Sequence, residues 1–543
     1  EPFSWELNGD ALVIPPDSPV EYGVEYVVTT TPEITDLAGN PLQMLDSLEG
    51  DNSLDFTLPE YVVDDGGEDV RRGPFASTVY PGFPCASSAA SQAEIDAGTQ
   101  GVCLSFSPEA DQVVIDELPI VGLPANRSIK VRFSQNMDPA TLVLGDTVLV
   151  QQDDNGTWVD VSGELTVEAR GFTFTPNQPW DDTGATLYRY VMVGNGGATG
   201  CAGICSADGL PLQTAPLLGG GLKEGGPDME ILFRGEAAVD TVLQELANLP
   251  SADVNNNFQI DTGESVITGD TLDPADTPAN ATFIVPRGTG GEGLVSYANT
   301  GCGFDNVADG TPTQCDSDKI MYVTGLLNTE ILDFDAENQG VPVVIYPTTV
   351  ALTNLDATAV IGLKLTDDGL LGSIPVIGDI AQDVVDALLG ATGLTELIEA
   401  TNLDNIGLAP IPTATGPNIL RVRYEPADPN DPNSPRTVPP VGFIVDTPDG
   451  PVFRIQFDLL FDAPALSLPL GLEHNVKSLP IDNVQLEGPL DFLPDGRLFI
   501  GLQSQEALDV DLEITLAGFD GGKVLLQIPL GGINLSYQSA SIQ

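Results

Sequence analysis

The stretch Ser128-Ile129-Lys130-Val131-Arg132-Phe133 alternates apolar and polar side chains with a period of two. This period places the two sets of side chains on opposite faces of a β-strand, so one face is expected to be buried. Further runs of the same kind, with turn residues between them, occur at 147–150, 157–161, 165–167, 172–174 and 188–193. Short strands at regular spacing predict two facing antiparallel sheets, a β-sandwich over residues 72–235.

The first 58 residues repeat the second half of this unit. The matching blocks, in chain order, are 12–16 with 172–176, 23–28 with 186–191, 35–43 with 206–213, and 54–57 with 230–233. Several matches in one order indicate an internal repeat. We therefore expect residues 1–60 to be the C-terminal half of another sandwich, and the chain to begin inside a repeating unit.

Residues 320–543 show longer alternating runs, for example at 452–460 and 508–516. They predict a larger antiparallel β-rich domain, so the predicted fold class is all-β. Apolar residues recur at helical spacing between Ile377 and Leu389, which predicts a short helical insertion over 376–400. This insertion is interpreted either as a helical pair packed on a sheet or as a docking or apolar-ligand surface.

The segment 236–319 is predicted to be a connector with a helix, a metal loop and a disulfide. Its apolar residues Val239, Val242, Leu243, Leu246 and Leu249 recur at helical spacing up to Pro250. That spacing predicts one short amphipathic helix.

The loop 253–264 places oxygen-bearing side chains at positions suited to a hard cation. It resembles the calcium loop of EF-hand-like and dockerin-like segments, which implies calcium bound by Asp253, Asn255, Asn257, Gln259, Asp261 and Glu264. The pattern departs at its sixth position, where Phe258 replaces glycine. Positive φ at a residue other than glycine costs on the order of 1 kcal/mol, which weakens such a site without forbidding it. An asparagine-rich turn is the alternative.

The six cysteines fall in three local pairs, Cys85 with Cys103, Cys201 with Cys205, and Cys302 with Cys315. Local disulfides are the simplest interpretation, and they indicate an oxidising compartment outside the cytoplasm. Zinc is the alternative, but the chain has no Cys-x-x-Cys motif and a single histidine, His474.

The chain of 543 residues carries 80 acidic and 19 basic side chains, a net charge of −61. Such a surface repels polyanions, so nucleic acid and anionic membranes are poor partners. No run approaches the ~20 apolar residues of a membrane span. No Gly-x-Ser-x-Gly elbow occurs, and no nucleophile accompanies His474, so the prediction is a non-enzymatic protein.

The string Phe133-Ser134-Gln135-Asn136-Met137-Asp138-Pro139-Ala140-Thr141-Leu142, together with turns such as Asp36-Leu37-Ala38-Gly39-Asn40-Pro41-Leu42, resembles the bacterial Ig-like domain of surface-layer and secreted proteins. The resemblance covers 1–58 and about 75–235 and implies a spacer or display module. The leading hypothesis is an extracellular structural protein of a bacterial surface layer, adhesin stalk or filament, stabilised by calcium and self-associating. The alternatives are a module that binds a glycan or an apolar ligand, or the non-catalytic part of a secreted hydrolase.

Overall fold

The structure is a computed structural model of the chain from Glu1 to Gln543. It describes residues 6–8, 11–13, 25–29, 31, 53–57, 72–104, 117–218, 225–248, 258, 279–282, 284–287, 295–299, 304–306, 311–312, 320–363, 406–407, 411–431, 434–448, 450–466, 468, 472–493, 497–516 and 519–539.

The first half of the chain contributes fifteen of the described strands and one α-helix. In chain order these elements are β1 (Glu6–Asn8), β2 (Ala11–Val13), β3 (Glu25–Thr29), β4 (Ser53–Thr57), β5 (Ala76–Tyr80), α1 (Gln92–Ala97), β6 (Thr99–Val102), β7 (Glu117–Pro119), β8 (Val121–Pro124), β9 (Ile129–Phe133), β10 (Val148–Asp154), β11 (Thr157–Asp160), β12 (Gly163–Glu168), β13 (Gly171–Pro176), β14 (Leu187–Met192) and β15 (Met229–Glu236). Short 3₁₀ turns lie at Pro139–Thr141 and Pro216–Leu218.

Two sheets form what we call the N-terminal sandwich. Their strand orders are β11-β10-β14-β15-β8 and β12-β13-β9-β5, and all neighbours are antiparallel except the parallel pair β15 and β8. Inward-facing side chains of both sheets share one core, which includes Val131, Phe133, Phe174, Tyr190 and Phe233. The alternation that begins at Ile129 is therefore used as predicted, with Ile129, Val131 and Phe133 buried.

The two copies of the repeat pair their strands in the same register. Val28 on β3 faces Leu54 on β4, and the residues at the matching positions, Val191 on β14 and Glu230 on β15, also face each other. The next three pairs along each ladder correspond in the same way. The likeness between the copies thus extends from sequence to strand pairing.

The second half of the chain is also built of strands. They are β16 (Val242–Asn248), β17 (Ala281–Thr282), β18 (Val285–Pro286), β19 (Val295–Asn299), β20 (Phe304–Asn306), β21 (Thr311–Pro312), β22 (Met321–Thr324), β23 (Leu326–Ile331), β24 (Gly340–Tyr346), β25 (Thr349–Leu352), β26 (Asp356–Leu363), β27 (Ile406–Gly407), β28 (Ile411–Ala414), β29 (Asn418–Val422), β30 (Glu425–Pro426), β31 (Arg436–Val438), β32 (Val441–Thr447), β33 (Gly450–Asp462), β34 (Leu472–His474), β35 (Leu479–Phe492), β36 (Leu498–Ser504), β37 (Leu508–Leu516), β38 (Phe519–Ile528) and β39 (Ile533–Ser539).

Twelve of these strands form a single sheet that closes on itself, which we call the C-terminal ring. Its order is β16-β23-β24-β32-β33-β29-β25-β22-β17-β39-β36-β35, with additional pairings of β33 to β35 and of β16 to β39. The long strand β33 pairs along one edge with β35, and along the other with β32 and then β29. These additional pairings turn an open sheet into a closed circuit.

A second sheet of order β18-β38-β37-β34 packs into the same core as the ring. Its strand β37 alternates strictly, with Leu508, Val510 and Ile514 buried in the core and Asp509 and Glu513 exposed. The all-β fold class predicted from the sequence is therefore confirmed. The predicted helical insertion at 376–400 lies outside the described residues.

The amphipathic helix predicted at the start of the segment 236–319 is wrong. Residues Val242–Asn248 form β16, which pairs with β23 and with β39. Short apolar runs do not distinguish a helix from a strand by spacing alone, and hydrogen bonds to partner strands override local preference. Residues 242–248 thus belong to the C-terminal ring.

The N-terminal sandwich is joined to the C-terminal ring by buried polar contacts. Asn328 Nδ2 donates to Thr78 Oγ1 at 2.8 Å, and Thr348 Oγ1 donates to the carbonyl of Ser77 at 2.6 Å. Nearby, the rings of Tyr80 and Tyr346 meet edge to face with their centroids 4.9 Å apart. The outer face of the ring is therefore covered by protein where strand β5 lies.

Glu330 is the central acceptor of this interface. It is 7% exposed and accepts hydrogen bonds from Arg127 Nη2 at 3.2 Å, from Tyr346 OH at 2.6 Å and from Thr241 Oγ1. Burial, and then the neighbouring Tyr80, raise the pKa of Tyr346 well above its usual value, so its hydroxyl stays protonated and donates.

The substitution Glu330→Ala is expected to lower the free energy of unfolding by about 3 kcal/mol, because it leaves the half-buried Arg127 without its counter-charge. The measurement is urea denaturation, with Glu487→Ala as the control. Glu487 pairs with Arg454 at 2.6 Å, but these side chains are 35% and 52% exposed, so less than about 1 kcal/mol should be lost. Equal losses in the two variants would contradict the role of Glu330.

Disulfides form between Cys85 and Cys103 and between Cys201 and Cys205, as two of the three predicted pairs require. The first joins residues 18 apart in sequence, and its sulfurs lie in a small buried cluster with Phe83, Leu118 and Ile419. Cys302 and Cys315 lie outside the described residues.

Replacing both Cys85 and Cys103 by alanine is expected to cost about 3 kcal/mol of stability, because the bond closes the longer loop in the unfolded chain. The matched change at Cys201 and Cys205, which are 4 residues apart, should cost about 2 kcal/mol. Guanidinium denaturation of the two double variants measures the difference. A larger loss for the shorter loop would show that strain or packing, rather than loop closure, sets the order.

Candidate apolar-ligand cavity

The inner face of the C-terminal ring is apolar because its strands alternate. On β29, Leu420 and Val422 face the interior, whereas Ile419 and Arg421 lie on the outer face. Ile419 packs there against Phe83, in the cluster that contains the Cys85 disulfide. This wall of the ring is therefore buried on both faces.

A cavity of about 70 Å³ lies within the ring. It is lined from many strands, with Leu352, Leu420, Ile455, Leu486, Leu502 and Ile528 among the contributors. Of the described residues that line it, Thr282 and Tyr537 carry a hydroxyl group, and the other lining side chains are hydrocarbons or that of methionine. The interior of this cavity is therefore apolar.

A second cavity of about 70 Å³ adjoins the first. The two share the lining residues Ile284, Met321, Phe461 and Val510, so they meet at this junction. The second cavity runs between the ring and the strands β37 and β38. Thr413, Thr415 and Asn418 are among its lining residues, but their polar atoms contribute no surface to it, so this cavity is apolar as well.

Among the described residues that line the two cavities, none carries a charge. A buried ion pair lies instead on the outer face of the ring, where Arg421 Nε contacts Asp462 Oδ2 at 2.8 Å. Ser478 completes that pair, since its backbone N–H donates to Asp462 Oδ1 at 2.7 Å. Burial raises the pKa of Tyr537, so this lining group stays neutral as well.

His474, the single histidine of the chain, lies against two backbone groups. Its Nδ1 accepts from the backbone N–H of Val476 at 3.1 Å, and its Nε2 lies 3.2 Å from the carbonyl of Leu466. Leu466 and Val476 both line the second cavity. His474 therefore links Leu466 and Val476, two residues of the cavity wall.

Burial lowers the pKa of His474 from 6.5 to about 4, with Lys477 adding to the shift and Leu466 and Glu473 opposing it. The unfolded chain then binds more protons than the folded one at acid pH. Stability contributed by the neutral ring is therefore present above pH 6.5 and is lost as the pH falls from there towards 4.

We expect the urea midpoint of the protein to fall more between pH 7 and pH 4.5 than that of His474→Gln. Many carboxylates titrate over the same pH interval and contribute equally to the stability of both proteins. Only the difference between the wild type and His474→Gln therefore reports on His474. Identical pH dependence in the two proteins would show that His474 is not the group responsible.

The predicted calcium ligands Asp253, Asn255, Asn257, Gln259, Asp261 and Glu264 lie outside the described residues. Between them, Phe258 is described and has a φ of 62°. Its ring packs 5.8 Å from that of Phe75, and its carbonyl accepts from the N–H of Asn354 at 2.7 Å. Phe258 thus contacts Phe75 beside the sandwich and Asn354 beside the ring, and calcium stays a prediction.

Two features absent from the described residues bear on the metal and membrane hypotheses. Within these ranges no group of three or more His, Cys, Asp or Glu side chains is arranged to hold a metal ion. The part of the chain that the structure describes also contains no helix with the length and hydropathy of a membrane span.

Comparison with known proteins identifies a curated relative of this chain. The chain is 29% identical over 575 aligned positions to alkane uptake protein B of Marinobacter nauticus. The alignment covers 99% of this chain and 48% of the relative, so the chain spans about half the length of the curated protein it matches.

Other comparisons are weaker. No protein-family model matches the chain, so the resemblance to the Ig-like domain is not confirmed. The crystal structure of the S-layer protein rSbsC(31-844) is similar over 75% of this chain and 50% of that one, with 9% identity and a TM-score of 0.14. A TM-score this low carries no argument about fold or function.

Sequence reasoning did not find the cavity residues. Their signal is present in the alternating strands, since positions such as Ile455, Phe457, Leu459 and Phe461 repeat at intervals of two. The period shows that they share a face but not that the facing strands leave space between them.

Proposed function

We propose that this chain is a non-enzymatic, extracytoplasmic protein that binds a linear hydrocarbon during alkane uptake, with the alkyl chain inside the C-terminal ring. One observation carries the proposal: two adjoining cavities, with no charged side chain among the described residues that line them, lie inside a chain that is similar to alkane uptake protein B. The two disulfides support a location outside the cytoplasm.

The chemistry of the cavities suits an alkane. An alkane offers no hydrogen-bond donor or acceptor, so its binding free energy comes from removing apolar surface from water, about 0.8 kcal/mol for each buried CH₂ group. A polar or charged lining would lose its own solvation without compensation. Aliphatic side chains such as Leu352, Leu420 and Ile528 contribute contact without that cost.

The volume of the two cavities limits the length of hydrocarbon that the ring can enclose. Each measures about 70 Å³, and together they are comparable with a cavity of roughly 150 Å³ that stays dry and binds benzene in another protein. A short section of an alkyl chain fits this space. A longer chain requires side chains at the junction to move, and Met321 and Phe461 there have rotatable bonds that allow it.

The outer surface is consistent with such a role in water. Strand β37 directs Val510 and Ile514 to the core and exposes Asp509 and Glu513. A net charge of −61 keeps such a protein soluble while its interior stays apolar. No chemical step is needed, and the proposed role is binding and transfer.

Val510→Phe tests the proposal. Val510 is 1% exposed and lines both cavities, so a phenyl ring at this position fills the junction. We expect the affinity for n-dodecane to fall by at least about tenfold, which corresponds to the contact of two buried CH₂ groups. The measurement is the amount of n-dodecane that remains with the purified protein after gel filtration, determined by gas chromatography.

Val150→Phe is the matched control. Val150 is 2% exposed in the core of the N-terminal sandwich, so the same substitution overpacks a core by a similar amount, about 1–3 kcal/mol. It should leave n-dodecane binding unchanged. If Val510→Phe binds n-dodecane as the wild type does, the ring interior is not the site.

A further inference from the structure

The wall of the C-terminal ring is interrupted along one edge of β33. On this edge β32 pairs with β33 as far as Arg454, and the pairing with β29 begins at Leu459. The ladders of the described residues therefore give 455–458 no partner strand on this edge. Ile455 and Phe457 belong to this stretch and line the first cavity. The interruption thus lies directly outside the cavity.

The opposite edge of β33 carries a β-bulge at the same level. Its pairing with β35 is regular up to Phe457 and resumes at Leu459, so Asp458 faces two residues of β35, Asp482 and Asn483. Asn483 has a φ of 64°, a left-handed conformation that is uncommon for residues other than glycine. A bulge locally disrupts the ladder. The β35 partners on both sides of this bulge also line the first cavity.

The connection from β29 to β32 leaves the wall at this interruption and forms the hairpin of β30 and β31, which we call the strap. Residues of this connection bind Asp458 from three directions. The N–H of Arg423 donates to the carbonyl of Asp458 at 3.0 Å, and the backbone of Asp458 donates to the Glu425 carboxylate. Arg436 Nη2 donates to Asp458 Oδ2 at 2.7 Å. The bulged residue is therefore bound by the strap and the residue before it.

The ion pair between Arg436 and Asp458 fastens the strap to the ring wall. These two side chains are 21% and 19% exposed, whereas those of the surface pair Arg454 and Glu487 are 52% and 35% exposed. A more deeply buried pair is less screened by water and salt. Arg436 Nη1 also donates to the carbonyl of Tyr424 at 2.9 Å, so one guanidinium links both ends of the strap to Asp458.

Because the first cavity lies within the ring, a hydrocarbon needs a passage through the wall. We propose that the hydrocarbon enters and leaves beside residues 455–458 of β33, and that the strap is the gate of this passage, with the pair of Arg436 and Asp458 as its latch. This inference rests on the proposed function and adds the route of the ligand. Opening the wall here breaks few ladder hydrogen bonds, and the inward side chains of Ile455 and Phe457 give the passing hydrocarbon an apolar surface.

Arg436→Ala tests the latch through the rate at which n-dodecane is released. Protein loaded with radiolabelled n-dodecane is mixed with an excess of cyclodextrin, and the label that stays with the protein is followed over time by rapid gel filtration. The release rate should rise about fivefold, which corresponds to the loss of about 1 kcal/mol from the latch. The dissociation constant should stay within about twofold, because the latch stabilises the empty and the loaded protein equally.

Arg189→Ala is the matched control. Arg189 is 20% exposed and pairs with Glu230 at 3.0 Å, but this pair lies in the N-terminal sandwich. Its loss should leave the release rate unchanged. Asp458→Asn breaks the latch from the side of the ring and should act as Arg436→Ala does, so it decides the question if Arg436→Ala does not fold.

The outcomes separate the gate from the binding site. Unchanged release in Arg436→Ala and Asp458→Asn would overturn the gate and leave hydrocarbon binding intact. An equal increase in Arg189→Ala would also overturn it, because general loss of stability would then explain the release. A dissociation constant that rises in parallel with the release rate would assign the strap to ligand affinity instead of gating. A wild-type protein that retains no n-dodecane would overturn the proposed function and the gate with it.

Discussion

The closed pairing of the C-terminal ring is the constraint on which the rest of the structure depends. Because β33 pairs with β32, β29 and β35, and β39 pairs with β36, β16 and β17, the sheet has an inside. Backbone groups in these ladders bond to one another, so the interior needs few polar partners. Inward-facing side chains can then be hydrocarbons throughout, and the space between them is shielded from water.

The register of the strands is therefore critical, since a slip by one residue would turn each inward side chain outward. On β29 such a slip would place Arg421 in the cavity and Leu420 outside. The buried contacts of Arg421 with Asp462 and Ser478 oppose this, because a displaced Arg421 would lose its counter-charge. The buried ion pair on the outer face thus stabilises the strand register in which the inner face is apolar.

Local pattern predicted the local structure well. Alternation placed the strands of the N-terminal sandwich and predicted the burial of Ile129, Val131 and Phe133, because a period of two is a property of the strand itself. The segment 242–248 shows the limit. Its apolar spacing fits a helix, and only the distant partners β23 and β39 make it a strand.

The candidate site could not be predicted from the sequence because it too depends on pairing between distant strands. Its lining residues come from strands that are separated by up to about half of the chain, as Thr282 and Tyr537 are, and ring closure alone brings them together.

The strands around the cavities explain the acidic composition of the chain in physical terms. In Leu508-Asp509-Val510-Asp511-Leu512-Glu513-Ile514 the acidic residues alternate with the core residues, so the same strand encodes a solvated face and an oil-like face. Basic side chains pair with these acidic residues, as Arg287 does with Asp509 and Asp511. An excess of carboxylates on the outer faces keeps a protein with a large apolar interior dispersed in water, since like charges oppose the association of exposed apolar surface.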